Sequence, residues 1–183
     1  YIEQIIRSLQ ALKLFRVNQP LPLIYSIIKA SKKLKYEKPE KIANILREIE
    51  NYHFINNVVL GRVANEVEKF YAENAKEISK SRDLPKSIIK LKNGLKEKLG
   101  NREEFISTLP ESVFYDKSKG HQLQLINYFF DRYNNYDFEK SKYLKGSQYL
   151  KIFDPETPYS GNRRNFNIEH IYAQKLNKEL SED

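Results

Sequence analysis

The sequence contains no cysteine, no methionine and no tryptophan, and only three histidines among its 183 residues. Without cysteine there is no disulfide, no thiolate nucleophile and no cysteine-built metal site, and a reducing cytoplasm is the expected compartment. With six glycines in all, there is no Gly-rich phosphate loop, no Walker motif and no Gly-x-Ser-x-Gly elbow. No pair of histidines has zinc-ligand spacing. No apolar run approaches the ~20 residues that a membrane-spanning helix needs. Residues 1–14 mix Ile and Leu with Glu3, Arg7 and Lys13, which is unlike a secretory leader. The missing tryptophan and methionine set no functional limit.

What is present suits a soluble globular chain: 40% hydrophobic and 31% charged residues, enough for one domain, or a domain plus part of another. Lysine and arginine outnumber the acids, giving a net charge of +8 and an isoelectric point near 9.4. Such a balance fits contact with nucleic-acid phosphates, and equally a solvated lysine-rich surface.

Hydrophobic spacing predicts helices over most of the chain. Ile2, Ile5, Ile6, Leu9 and Leu12 recur at helical intervals before Asn18-Gln19-Pro20 breaks the pattern. A second helix fits 21–34 around Leu23, Ile24, Ile27 and Ile28, and a third opens at Lys38-Pro39-Glu40 and carries Ile42, Ile45, Leu46 and Ile49. Residues 52–79 read as the longest helix, with Ile55, Val59, Val63, Val67, Phe70 and Tyr71 inward and Gly61 inside it as a close crossing or a kink. Asp83 caps the next helix, which buries Ile88, Ile89, Leu95 and Leu99 and stops before Gly100. Asn101 and Glu104 suggest a capping box for a short helix through Phe105 and Leu109. A last helix spans 121–133, with Leu125, Ile126, Phe129 and Phe130 inward. Helical spacing fades after Tyr136, turn residues cluster at 154–162, and Phe166-Asn167-Ile168-Glu169-His170 alternates like a short strand. The expected fold is therefore mainly α, a multi-helix domain over 1–138 followed by a small α+β portion over 139–183.

The residues that carry chemistry lie in that second portion. In Asn167-Ile168-Glu169-His170-Ile171-Tyr172-Ala173-Gln174 a carboxylate directly precedes a histidine between two isoleucines. This resembles the first element of an HNH (His-Me finger) nuclease. Hydrolysis of a phosphodiester needs a base for water and a cation against the charge growing on phosphate oxygens. His170 is the candidate base and Glu169 the candidate ligand of a divalent metal, Mg²⁺ by expectation. Ordinary solvated surface is the alternative reading of the same pair. The chain stops at Asp183, about where the rest of such a site would begin, so only part of the site is expected here, inactive alone. Basic residues interleave with tyrosines just upstream: Lys145 and Lys151 flank Tyr149, and Arg163-Arg164 is the candidate phosphate clamp. A second basic group, on 80–98, places Lys86 and Lys90 on one helix face as like charges. His53 is expected to hydrogen-bond locally at a helix junction, and His121 to be structural or exposed.

Three more stretches carry a resemblance: Leu14-Phe15-Arg16-Val17-Asn18-Gln19-Pro20-Leu21-Pro22-Leu23, Ile49-Glu50-Asn51-Tyr52-His53-Phe54, and Asn65-Glu66-Val67-Glu68-Lys69-Phe70-Tyr71. Together they resemble the helical middle of GmrSD-type proteins, bacterial modification-dependent restriction endonucleases active in phage defence, and 168–174 resembles the opening of their C-terminal HNH domain. The likeness covers roughly 9–80 and 141–175, in the family's order. It implies metal-dependent cleavage of DNA, often modified, with the helical part linking a sensor to the nuclease and contacting DNA or a second subunit. It also implies an upstream ParB-like nucleotide-hydrolysing domain, whose acidic-Gly-Gln-Gln-Arg motif is absent from these residues. Ala173 stands where the family usually has Pro, and Asn177 lies too close to His170 to stand for the later Asn of the site. Two rival readings remain: a non-enzymatic helical module that binds protein or nucleic acid, and an HNH toxin that cuts RNA.

Overall fold

A computed structural model describes residues 1–116 and 119–140. Among these residues the chain is helical and contains no strand. The helices are α1 (Ile2–Leu14), α2 (Leu21–Lys33), α3 (Pro39–His53), α4 (Glu68–Lys80), α5 (Leu84–Glu97), α6 (Arg102–Ser112) and α7 (Gly120–Lys140). The α+β portion expected over 139–183 lies outside the described residues, apart from the final two residues of α7. No helix among the described residues is long and apolar enough to cross a membrane.

Local chemistry accounts for most of the boundaries. Pro22, Pro39 and Pro85 occupy first turns, where their missing N–H goes unmissed. Asp83 accepts a hydrogen bond from the Lys86 amide at the start of α5, and Asn101 accepts from the amides of Glu103 and Glu104 at the start of α6. α1 ends in a Schellman turn: the Val17 amide donates to Leu12 O, the Arg16 amide donates to Lys13 O, and Arg16 takes φ of 59°. α2 ends the same way, through Tyr36 to Ser31 and Lys35 to Lys32, with Lys35 at φ of 48°. Both turns place a side chain where glycine is favoured, and both follow it with a residue that packs on the core: Val17 is buried and Tyr36 half-buried.

The helix expected over 52–79 is two helices with a break between them. α3 stops at His53 and widens into a π-helical turn over Phe54–Val59. Gly61 then takes φ of 63°, and a 3₁₀ turn over Ala64–Val67 leads into α4. Gly61 is therefore a left-handed turn residue, neither a crossing point nor a kink, and it reverses the chain so that α4 can pack on α2 and α5. The inward side chains of this stretch are Phe54, Asn56, Val59 and Val67, while Val63 is 62% exposed.

α1 packs against α3 and α7, α2 against α4, and α3 and α4 both against α5. Leu12, Leu23, Ile27, Leu46, Ile49, Tyr71 and Leu91 are fully buried where these helices meet. Burial of each such aliphatic side chain contributes about 1.5–3 kcal/mol. Three faces differ from the expected ones. α1 buries Ser8, Ala11 and Leu12 and leaves Ile2 and Ile6 outside, small residues allowing α1 close to its neighbours. α5 buries Leu84, Leu91 and Leu95, with Ile89 61% exposed. In α7 it is Tyr128, with Leu125 and Ile126, that turns inward, and Phe130 turns out.

Candidate functional site

Glu169, His170, Arg163, Arg164, Lys145 and Lys151 all lie outside the described residues, so the proposed nuclease centre has no geometry here. Within the described residues no group of three or more His, Asp or Glu side chains could hold a metal ion. The polar chemistry that the fold does bring together lies in two buried clusters and one cleft.

The first cluster centres on Glu50, which points from the last turns of α3 into the core and is fully buried. Its Oε1 accepts hydrogen bonds from the Tyr128 hydroxyl at 2.7 Å and from Arg132 Nε at 2.8 Å, and its Oε2 accepts from Arg132 Nη2 at 2.9 Å. The guanidinium thus grips the carboxylate with a two-pronged fork, which resists desolvation better than a single contact. Arg47, one turn earlier on α3, approaches Oε2 at 3.7 Å. Burial, and secondarily the Glu50 charge, pushes the Tyr128 hydroxyl well above the usual phenol range. Asp131, next to Arg132 on α7, pairs in the interior with Arg7 of α1. Two consecutive α7 residues therefore fasten that helix to two different partners, α1 and α3. An edge-to-face contact of Phe15 with Tyr128 at 4.9 Å and the Phe54 ring at 5.1 Å from Tyr128 surround the cluster with aromatic packing.

The second cluster is built on His53, at the junction of α3 with the π-helical turn. Asn57 donates from Nδ2 to Arg62 O at 2.7 Å, so its Oδ1 is the acceptor facing the imidazole. His53 accordingly donates from Nδ1 to Asn57 and accepts at Nε2 from the Tyr71 hydroxyl of α4 at 2.9 Å. Burial lowers the His53 pKa to about 4, with the Asn57 bond opposing, so the ring is neutral at physiological pH. Burial also raises the Tyr71 hydroxyl far above its usual value. The local bond expected of His53 is present, and the bond to Tyr71 adds a link between α3 and α4 across the break. His121 lies in the first turn of α7, half-buried, its pKa lowered by burial and then by Arg16.

The cleft opens beside the Glu50 cluster and has a volume of about 900 Å³. Glu40, Asn44, Arg47 and Asn51 form its α3 wall, Tyr1 and Gln4 border it at the start of the chain, Phe105 of α6 closes one part, and Phe129 and Tyr133 supply the α7 wall. A second groove lies between α4 and α5, where Lys90 pairs with Glu77 at 2.6 Å. Lys92 pairs with Glu48 at 2.5 Å. The crowding of Lys86 with Lys90 expected from their spacing is thus relieved at Lys90 by a neighbouring helix's carboxylate.

Sequence reasoning missed Arg7, Glu50, Asp131 and Arg132 as a set. The available signal was charge on an otherwise apolar stripe: Glu50 follows Ala43 and Leu46 at helical spacing, and Arg7 precedes Ala11 and Leu14. No protein family model, no curated protein and no solved structure matches this chain.

Proposed function

We propose that this chain is part of a metal-dependent HNH DNA endonuclease of the GmrSD type, a modification-dependent restriction enzyme of bacterial phage defence. It holds the helical region and the first element of the nuclease. The carrying observation is the ordered pair of sequence likenesses, the helical stretches first and Ile168-Glu169-His170-Ile171 after them. The packing supports the reading, because the three helical stretches meet in one core. Phe15 of the first lies 5.8 Å from Phe54 of the second, His53 of the second bonds Tyr71 of the third, and Gln19 Nε2 donates to Asn65 Oδ1 at 3.2 Å. In this reading His170 takes the proton from the attacking water, Glu169 holds a divalent cation, Mg²⁺, and Arg163 and Arg164 clamp phosphate.

The test is made in the complete reading frame that contains these residues. His170→Ala should abolish Mg²⁺-dependent DNA cleavage and leave DNA binding nearly intact, and the 183-residue chain by itself should not cut. Full cleavage by the His170→Ala protein, or robust cleavage by the 183-residue chain, would overturn the assignment.

A further inference from the structure

We infer that the outer face of α2 docks an acidic amphipathic helix of a partner protein, one that carries leucine-type residues flanked by glutamates. The inference does not rest on the nuclease reading. α2 turns Leu23, Ile24, Ile27 and Ala30 into the core. On its far side Leu21, Tyr25 and Ile28 stay 46%, 64% and 42% exposed. The steps between these three are four residues and then three, and Lys32 continues the series with another four. That alternation is the spacing at which one helix meets another along a seam, so the stripe runs nearly straight for about 16 Å instead of winding around α2.

Charge selects the partner. The chain has no acidic residue between Glu3 and Glu37, and α2 itself carries Lys29, Lys32 and Lys33, all exposed. Among the described residues none of these three lysines pairs with a carboxylate, whereas Lys90 and Lys92 on α5 are paired with Glu77 and Glu48. Lys29 lies over the Tyr25 ring instead, 5.8 Å from its centre. Glu37 comes after the end of α2, and Glu68 of α4 lines a pocket with Pro22 at its start, so neither neutralises the turns that bear the lysines. A nucleic-acid backbone would satisfy these lysines and leave the apolar stripe in water. A second copy of the same face would set lysine against lysine. A helix with leucines at the matching spacing and glutamates beside them satisfies both the stripe and the charges.

The probe is a synthetic helical peptide with leucines at the seam positions and glutamates flanking them, whose own charges keep it from pairing with itself. The sequence lacks tryptophan, so Tyr25→Trp installs a sole indole on the stripe. Titration of this 183-residue protein with the peptide at low salt should shift the indole emission to the blue and saturate. A peptide of the same composition in scrambled order should bind about tenfold more weakly, and a lysine-flanked version should not bind. Lys29→Glu combined with Lys32→Glu, checked by circular dichroism to be folded, should weaken the glutamate-flanked peptide by about tenfold in fluorescence anisotropy and gain the lysine-flanked one. That exchange of preference is something a merely misfolded protein would not show. Lys86→Glu, on the α4–α5 groove, should leave both unchanged. Equal binding of the scrambled peptide, an unshifted indole, or no exchange of preference in the double variant would each overturn the inference. Binding of duplex DNA or of phosphatidylserine vesicles through these lysines, without the peptide, would overturn it as well, as would self-association of the chain abolished by the double variant.

Discussion

Acidification should loosen this fold through His53, because the imidazole is buried in its neutral form. Its pKa falls from 6.5 to about 4 in the folded chain, chiefly through loss of hydration. The unfolded chain therefore takes up a proton that the folded chain refuses. The stabilisation is complete above the unfolded value of 6.5 and is lost progressively as pH falls toward about 4. Between neutral pH and a pH near 5, the two pKa values give a loss of about 2 kcal/mol. Urea unfolding followed by circular dichroism should register this as a fall in midpoint of roughly 1 M. The half-buried His121, whose pKa is also lowered by burial, adds a pH dependence of its own, so the decisive quantity is a difference between two proteins. His53→Gln keeps an amide able to meet Asn57 and Tyr71 but has no proton to gain. It should be less stable at neutral pH, and its stability should fall by about 2 kcal/mol less than that of the parent over the same interval. An unchanged pH slope in His53→Gln would refute the claim that His53 is held neutral by its surroundings.

Three further outcomes follow from the same geometry. Glu50→Ala leaves the Arg132 guanidinium in the interior without its carboxylate, and should cost about 3–5 kcal/mol in chemical denaturation, or prevent folding altogether. Gly61→Ala adds a methyl group that meets nothing within 4 Å, yet φ is 63°, so any loss of thermal stability reports backbone strain alone, of about 1–2 kcal/mol. Lys35→Gly relieves the same strain at the end of α2 and should raise stability by about 1 kcal/mol, measured by the same denaturation midpoint.

Much of the helical layout was legible because its signals are local. A capping Asp83, a capping Asn101 and prolines in first turns act within a few residues of themselves, and they mark the starts of α3, α5 and α6 correctly. The local partner of His53 was legible for the same reason, Asn57 being one helical turn away. The break at Gly61 was not, since a glycine within an apolar period looks like a tolerated defect until the next helix has somewhere to pack. Likewise Ile2 and Ile6 share helical spacing with Ile5, Leu9 and Leu12, yet they stay exposed while those three pack on the core. The candidate nuclease residues were legible only as a motif, and their arrangement lies outside the described residues.

By itself, then, the sequence determined that this chain makes helices, where most of them begin, that its net charge is +8, and that it offers no cysteine chemistry. Only the tertiary structure decided which face of each helix is buried, that Glu50 and Asp131 find arginines on other helices, and that Asn44, Arg47 and Asn51 stand across a cleft from Phe129 and Tyr133. The reason is physical: a cap or a proline acts on its own neighbours, whereas a buried charge is tolerable only where a partner distant in sequence meets it, and no local pattern records that meeting.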